Sequence, residues 1–156
     1  MDSIVKKSAK KSGFPPSQSS GYLVRDAHRA FQHMLEKRIA AYGVTRGQWY
    51  FLRVLWIEDG LSQRELSARA GMMEPTTVIA LRGMENAGLV KRVRSDDDKR
   101  RTHVWLTPKG RKLQGQLIPV ARRIVAEAEA DIPRRDVELF RDVIARMTRN
   151  LDRHRG

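Results

Sequence analysis

The sequence contains no cysteine, few aromatic residues, and far fewer acidic than basic side chains. Without cysteine, its 156 residues cannot form a disulfide, a thiol nucleophile or a thiolate metal site. No stretch approaches the ~20 apolar residues that cross a bilayer, and the N-terminal lysines are not followed by an apolar signal segment. We therefore expect a protein that stays in the cytoplasm and does not enter the membrane.

Signatures of metal binding and catalysis are also missing. The histidines are His28, His33, His103 and His154, and none of them pair at the i, i+4 spacing that places two ligands on one helix face. The chain has no Gly-x-Ser-x-Gly elbow, no phosphate-cradling glycine loop and no carboxylate pair in an apolar setting. We expect neither an enzyme nor a bound metal or other cofactor.

Positive charge is in excess, with 31 lysines and arginines against 18 acids and a net charge of +13. Such an excess predicts an anionic partner, nucleic acid first and an acidic membrane surface second. Residues 1–20 carry Lys6, Lys7, Lys10 and Lys11 among serine, glycine and proline, which indicates a flexible basic tail. The segment 91–101 and the C-terminal third hold most of the remaining excess.

Apolar spacing predicts helices on both sides of the chain's centre. Within residues 21–44, steps of three and four predict an amphipathic helix ended by Gly43, with Leu23, Ala27, Ala30, Met34 and Arg38 on one stripe and Phe31 beside it. A second helix buries Trp49, Leu52, Leu55 and Trp56 and ends near Asp59-Gly60. Within residues 108–156, one helix begins at Pro108 and a last one carries Val137, Phe140, Ile144, Met147 and Leu151 at the spacing of a helix packed along another helix.

Between these helices lies a compact arrangement of short elements. Ser62 and Glu65 form a capping box that opens a short helix over 62–70, and Gly71 ends it. Pro75 begins a further helix that runs to Ala87. Segments 89–94 and 102–106 then predict two strands joined by a polar loop with a basic tip.

This order predicts a winged helix-turn-helix. Two helices joined by about four residues can cross steeply enough for the second to enter a major groove, and the hairpin places its arginine tip beside that helix. The predicted fold is mainly α with a small β-hairpin wing (α+β). It comprises a DNA-binding lobe over 45–107, flanked by helices over 21–44 and 108–156.

The same residues resemble the MarR family of bacterial transcriptional regulators. The likeness rests on 61–67 (LSQRELS), 75–77 (PTT), 85–90 (ENAGLV), 98–100 (DKR) and 106–110 (LTPKG). It implies a homodimer whose terminal helices interlock and which binds a pseudo-palindromic double-stranded DNA operator. In that layout the helix over 21–44 serves dimerisation and effector binding, and the helices over 108–156 serve dimerisation. The apolar stripes independently favour a dimer, because a lobe of about 45 residues cannot cover them all, and a two-fold dimer would set its recognition helices about 34 Å apart.

The predicted DNA contacts lie on the two helices and the wing. Thr76, Thr77 and Arg82 are expected to face DNA, with helix packing as the alternative for Thr77. Gln63 and Arg64 begin the short helix, where phosphate is commonly bound, and solvated surface is their alternative. By resemblance, Arg100 enters the minor groove and Asp98 holds it in place. Arg94 and Arg101 are expected to contact phosphates.

An effector cavity is implied by resemblance, near the first two helices. That region offers aromatic and cationic side chains suited to an aromatic carboxylate or a bulkier acyl-CoA thioester, namely Tyr22, Arg25, His28, Arg29, Phe31, His33, Trp49 and Arg53. Core packing is the alternative for Phe31 and Trp49, and a surface or interface position is the alternative for His28.

Three functions are consistent with these features. The leading one is a dimeric ligand-responsive regulator, expected to be a repressor, although the sequence does not separate repressor from activator or identify operator and effector. A non-specific architectural or nucleoid DNA-binding protein would share the charge and the fold. A basic membrane-surface protein would leave the hairpin and the capping boxes unexplained.

Overall fold

The computed structural model describes residues 13–98 and 100–155, which divide into two compact units with the boundary between Arg46 and Gly47. The four lysines of the predicted basic tail lie outside the described residues. Among the helices that the structure describes, none has the length and apolarity needed to span a membrane.

The first unit consists of one long helix and its ends. Pro16–Gln18 form a single 3-10 turn, and the Ser19 hydroxyl then accepts a hydrogen bond from the Tyr22 backbone N–H at 3.2 Å, which caps helix α1 (Ser20–Ile39). A second 3-10 turn, Ala40–Tyr42, ends at Gly43 in the left-handed conformation, φ +70°. Regular structure therefore begins at Pro16, within the predicted tail of residues 1–20.

The buried face of α1 differs from the predicted stripe. Leu35 and Ile39 are buried, whereas Leu23 and Phe31 are exposed. The predicted stripe through Leu23, with Phe31 beside it, is therefore left uncovered over most of its length in the single chain. The apolar spacing is real, but the chain itself covers only the C-terminal end of the helix.

The second unit contains the remaining helices and a small sheet. Its helices are α2 (Arg46–Leu55), α3 (Gln63–Ala70), α4 (Glu74–Asn86), α5 (Pro108–Ala128) and α6 (Arg134–Asp152). Its core is formed by large apolar side chains from α2, α3, α4, α5 and the sheet, among them Phe51, Leu52, Leu55, Leu66, Leu81, Met84, Val104 and Leu117. Helix α2 ends at Leu55, short of the predicted Asp59-Gly60.

Three antiparallel strands form the sheet, in the order β1 (Leu61–Ser62), β3 (Thr102–Leu106), β2 (Val90–Arg94). The hairpin pairs Val90 with Leu106 and Arg94 with Thr102, within a residue of the predicted bounds. Strand β1, which was not predicted, pairs Leu61 with Val104. The fold is therefore mainly α with a three-stranded winged sheet, which confirms the predicted fold class.

Glycine is required where α5 meets the wing. An added Cβ on Gly110 would lie 2.2 Å from the carbonyl oxygen of Leu89, far inside van der Waals contact. The Thr107 backbone N–H donates to the same oxygen at 3.0 Å, and the Thr107 hydroxyl accepts from the Gly110 N–H at 3.1 Å. These contacts fix the first turn of α5 against Leu89, directly before β2.

Candidate nucleic-acid interface

The start of α3 is fixed by the predicted capping box between Ser62 and Glu65. The Ser62 hydroxyl accepts from the Glu65 backbone N–H at 3.2 Å and donates to the Glu65 carboxylate at 2.7 Å, while the Ser62 N–H donates to the same carboxylate oxygen at 2.9 Å. These two bonds to the carboxylate, the hydroxyl bond foremost, lower the pKa of Glu65. Gln63 and Arg64 follow directly, in the first turn of the helix.

The turn between α3 and α4 is closed by its own backbone. Gly71 adopts φ +65°, and the Met72 N–H donates to the Ser67 carbonyl oxygen at 3.0 Å, which ends α3 in a left-handed glycine cap. The chain then enters α4 at Glu74, with Pro75 in the first turn as predicted. Two helices joined in this way form the helix-turn-helix.

Thr77 is a packing residue and does not face the exterior. Its side chain is fully buried, its hydroxyl donates to the Met73 carbonyl oxygen at 3.0 Å, and the Ser67 hydroxyl lies 2.8 Å from it. The prediction that Thr77 contacts DNA is wrong in this conformation, because the hydroxyl is enclosed between α3 and α4. The signal was present in the sequence, since Thr77, Leu81 and Met84 share a helical face.

The opposite face of α4 is exposed, and it carries Thr76 and Arg82, the other two residues of this helix that were predicted to face DNA. It also carries Ile79, whose side chain is 73% exposed, and Met73 at the N-cap is 76% exposed. Neither residue was predicted to be exposed, because an apolar residue in a helix is normally assigned to the core. Their exposure could be inferred only after the buried face of α4 was known.

Asp98 organises the tip of the wing. Its carboxylate accepts from the Arg100 backbone N–H at 3.0 Å and pairs with the Arg101 guanidinium at 3.6 Å. The loop is closed by the Arg101 N–H, which donates to the Asp98 carbonyl oxygen at 2.8 Å. Asp98 was expected to hold the side chain of Arg100. It instead accepts from the Arg100 backbone N–H, and its ion pair is with the side chain of Arg101.

A cleft of about 570 Å³ lies between the start of α3, the start of α4 and the wing tip. It brings together five of the predicted contact residues, namely Gln63, Arg64, Asp98, Arg100 and Arg101, with Ser62, Glu65, Glu74 and Thr102 beside them. Thr76, Arg82 and Arg94 do not line it. Arginines that border an open cleft next to an exposed helix face are suited to a polyanion such as the phosphate backbone of DNA.

Three arginines and three carboxylates line the cleft, the carboxylates being those of Glu65, Glu74 and Asp98. Asp98 pairs with Arg101, and Glu65 is engaged by Ser62. Within the described part of the chain, the guanidinium groups of Arg64 and Arg100 form no ion pair. These two cations are therefore available to an external anion.

A second cleft in the same unit, about 470 Å³, lies between the end of α2 and the middle of α5. Arg53, one of the predicted effector residues, lines it, together with Trp56, Ile118 and Arg122, which were not predicted as effector contacts. Trp49 is instead a core residue with 4% exposure; its ring packs edge to face against Trp56 at 5.8 Å between centroids, and the Arg53 guanidinium lies 5.4 Å from the Trp49 ring.

The remaining predicted effector residues lie on α1, in the first unit. Tyr22, Arg25 and Arg29 share a crevice with Asp26, but its volume of about 10 Å³ holds no more than about one water molecule. The Nε2 atoms of His28 and Gln32 lie 2.6 Å apart, and Phe31 and His33 are exposed. Within residues 13–98 and 100–155, no three histidine or carboxylate side chains cluster as a metal site would require.

Comparison with known proteins agrees with this geometry. The family model described as MarR family matches residues 42–101. The transcriptional regulator HosA of Escherichia coli is 32% identical over 104 residues, 67% of this chain and 77% of HosA. The regulator TtmR of Methylorubrum extorquens is 34% identical over 96 residues, 62% of this chain but only 49% of TtmR, so the match spans about half of that relative.

Further matches include an operon repressor and solved structures of regulators, one of them with its natural ligand. The homoprotocatechuate degradative operon repressor of Escherichia coli is 28% identical over 125 residues, 78% of this chain and 82% of the repressor. The crystal structure of a MarR regulator from Methanosarcina mazei superposes with a TM-score of 0.77 at 28% identity, covering 85% of this chain and 96% of the other. The PcaV regulator of Streptomyces coelicolor, solved with its natural ligand, superposes with a TM-score of 0.77 at 25% identity, covering 88% of this chain and 96% of PcaV. The chain therefore belongs to the MarR family, as a DNA-binding transcriptional regulator and not an enzyme.

Proposed function

We propose that this regulator is a homodimeric repressor that binds a pseudo-palindromic operator and is released from it by an aromatic carboxylate or its acyl-CoA thioester. The observation that carries the DNA-binding part is the cleft between α3, α4 and the wing, where Arg64 and Arg100 lie beside the exposed face of α4. One such lobe grips a groove and its flanking phosphates. DNA binding implies that the protein works where the chromosome lies, in the cytoplasm.

Dimerisation is supported by the apolar face of α6. Leu139, Phe140, Met147 and Leu151 are exposed, with Phe140 at 59% and Leu151 at 69%. A helix with apolar residues at steps of three and four, left uncovered in the single chain, is suited to pack along a helix of a second copy. Two copies related by a two-fold axis would present two lobes to an inverted repeat.

The effector part of the proposal rests on the cleft between α2 and α5. Arg53 and Arg122 border it, and Trp56 and Ile118 supply apolar surface, a combination suited to a planar ring with a negative charge. Its volume of about 470 Å³ falls in the range of small-molecule sites. Two relatives point the same way, since one represses a homoprotocatechuate degradative operon and the other was solved with its natural ligand.

Release follows from differential affinity. A ligand that binds more tightly to the free form than to the DNA-bound form shifts the population toward the free form, by that difference in affinity and no more. An acyl-CoA thioester carries phosphates that a simple aromatic acid lacks, and these would lie outside the cleft against basic surface. Repression follows where the operator overlaps a promoter.

The central experiment selects bound sequences from a random duplex pool with the full chain at physiological salt. An enriched inverted repeat, bound by a dimer in sedimentation, supports the proposal, whereas equal affinity for random duplexes would indicate a non-specific architectural protein. Homoprotocatechuate, benzoate and benzoyl-CoA are then added to the complex. Release by none of the three, together with no thermal shift, would contradict the effector part.

A further inference from the structure

Helix α4 presents a large apolar side chain directly away from the protein. Thr77, Leu81 and Met84 are buried and hold the helix in place. At about 100° per residue, Ile79 lies about 160° around the helix from both Thr77 and Leu81. Its 73% exposure agrees with that geometry, so Ile79 contributes little to the core.

Polar residues surround Ile79 on the same face. Thr76 precedes it by three positions and Arg82 follows it by three, and both are exposed. Helical residues three apart are neighbours on the surface, so Ile79 lies at the centre of the face that the proposed function directs toward base edges. Exposing an isoleucine side chain to water at the centre of such a face is unfavourable. Covering it with another apolar group lowers the free energy.

We propose, building on the DNA-binding function above, that Ile79 is a specificity-determining residue that recognises thymine by packing against its C5-methyl group. Thymine is the base that displays a methyl group in the major groove, whereas cytosine, the other pyrimidine, displays an amine beside a bare C5 position. The isoleucine side chain neither donates nor accepts hydrogen bonds. It therefore favours thymine over cytosine, and it penalises any base whose polar edge it would cover without a partner.

The surroundings favour DNA over a second copy of the chain as the occupant of this face. Glu74, at the start of α4, lines the cleft that Arg64 and Arg100 border, so the cleft adjoins the N-terminal end of the helix that carries Ile79. The excess of positive charge, +13 over the chain, makes a polyanion the complementary partner and opposes close approach of two such surfaces.

The test removes the methyl group from the DNA and the side chain from the protein. In the duplex enriched from the random pool, each thymine is replaced in turn by deoxyuracil, which lacks only the C5-methyl. Binding of the wild-type protein is expected to weaken about fourfold at the thymine that Ile79 contacts, the ratio that corresponds to one buried methyl group, and by the product of two such factors when both half-sites are changed. All other replacements are expected to leave affinity unchanged.

Protein variants assign that effect to Ile79. The Ile79→Ala variant is expected to bind the thymine duplex more weakly and to lose the discrimination between thymine and uracil, while Ile79→Val retains most of it. The matched control is Ile132→Ala, at an exposed isoleucine between α5 and α6, which keeps the wild-type affinity and the full uracil penalty. Circular dichroism and thermal melting establish that each variant is folded.

Two outcomes overturn the inference while leaving the proposed function standing: uracil replacement without effect on the wild-type protein, or a full uracil penalty retained by Ile79→Ala. A pool that yields no enriched repeat overturns the proposed function as well. The two failures are therefore distinguishable.

Discussion

The hydroxyl oxygens of Ser67 and Thr77 lie 2.8 Å apart in the buried contact between α3 and α4. The Ser67 hydroxyl oxygen also lies 3.0 Å from the Gln63 carbonyl oxygen, and the Thr77 hydroxyl donates to the Met73 carbonyl oxygen. The two helices of the helix-turn-helix are thus joined by a polar contact inside an otherwise apolar core. This contact holds α4 at a fixed orientation, with its opposite face exposed.

Replacement of Thr77 by valine is expected to destabilise the protein. Valine keeps the shape but removes the hydroxyl, so the free energy of unfolding should fall by about 1–2 kcal/mol, the cost of a buried hydrogen bond lost on one side. Denaturant unfolding measures the change. The control is Thr76→Val, at the exposed neighbour, which should change stability by less than about 0.5 kcal/mol. Equal effects of the two substitutions would contradict the assignment of Thr77 to packing.

The capping box at the start of α3 predicts a pH-dependent stability. Hydrogen bonds from Ser62 lower the pKa of Glu65 in the folded state, so the charged carboxylate stabilises the fold. This contribution is present above the pKa that Glu65 has in the unfolded chain and is lost as the pH falls through its lower folded value.

Wild-type and Glu65→Gln proteins are therefore expected to differ in free energy of unfolding at neutral pH and to converge in acid. Chemical denaturation across a pH series measures the difference. The Ser62→Ala variant keeps Glu65 but lacks the hydroxyl hydrogen bond, the larger of the two that lower its pKa. Its free energy of unfolding should therefore depend less on pH than that of the wild-type protein. A wild-type to Glu65→Gln difference that stays constant as the pH falls would show that the carboxylate charge is not the stabilising feature.

Replacing two glycines of α5 by alanine is expected to change the free energy of unfolding in opposite directions. At Gly110 the new Cβ would meet the Leu89 carbonyl oxygen, so Gly110→Ala should lower the free energy of unfolding by about 1–3 kcal/mol. At Gly115 nothing lies within 4 Å, so Gly115→Ala should raise it by about 0.5–1 kcal/mol through the helix propensity of alanine. Thermal melts at a single protein concentration compare the two. If both substitutions destabilised the protein, the contact with Leu89 would not be the reason that position 110 requires glycine.

Arg100 is expected to contribute to DNA affinity mainly by charge. Arg100→Ala should weaken binding to the selected duplex about tenfold and reduce the slope of log affinity against log salt concentration by about one. Titrations between low and physiological salt measure both quantities. Arg135→Ala, at an exposed arginine on α6, provides the control and should leave the slope unchanged. An unaltered slope for Arg100→Ala would exclude a phosphate contact.

The cleft between α2 and α5 predicts which arginine a carboxylate ligand needs. Arg122 lines the cleft and its neighbour Arg123 does not. Arg122→Gln should weaken binding of an effective aromatic acid about tenfold, as expected for a lost charge-assisted hydrogen bond, while Arg123→Gln should have little effect. Calorimetry with the acid that gives the largest thermal shift measures the affinities. Similar losses for both variants would indicate general electrostatic attraction and not a defined site.

Local signals in the sequence were sufficient for most of the winged lobe. The capping residue Ser62, the breaking Gly71 and the early Pro75 act on their own neighbours, and the structure has them in the predicted roles. The hairpin was likewise recognisable from its own residues. Strand β1 was not, because two residues carry no periodicity and are extended only through pairing with β3, some 40 residues later in the chain.

Side-chain direction was harder to predict than secondary structure. Thr77 and Thr76 are chemically identical and differ only in helical position, because Thr77 shares a face with Leu81 and Met84 whereas Thr76 does not. Trp49 and Trp56 posed the same problem: the structure buries the first and lets the second line a cleft. Ile79 was missed because hydrophobicity indicates burial on average but does not identify the residues that a functional surface leaves exposed.

The uncovered apolar face of α6 has a consequence for the cell. In the proposed dimer, folding and association become coupled, so the melting temperature rises with protein concentration. Dilute subunits would open more often and be degraded sooner than paired ones. The supply of competent repressor would then depend more steeply than linearly on the rate at which its gene is expressed.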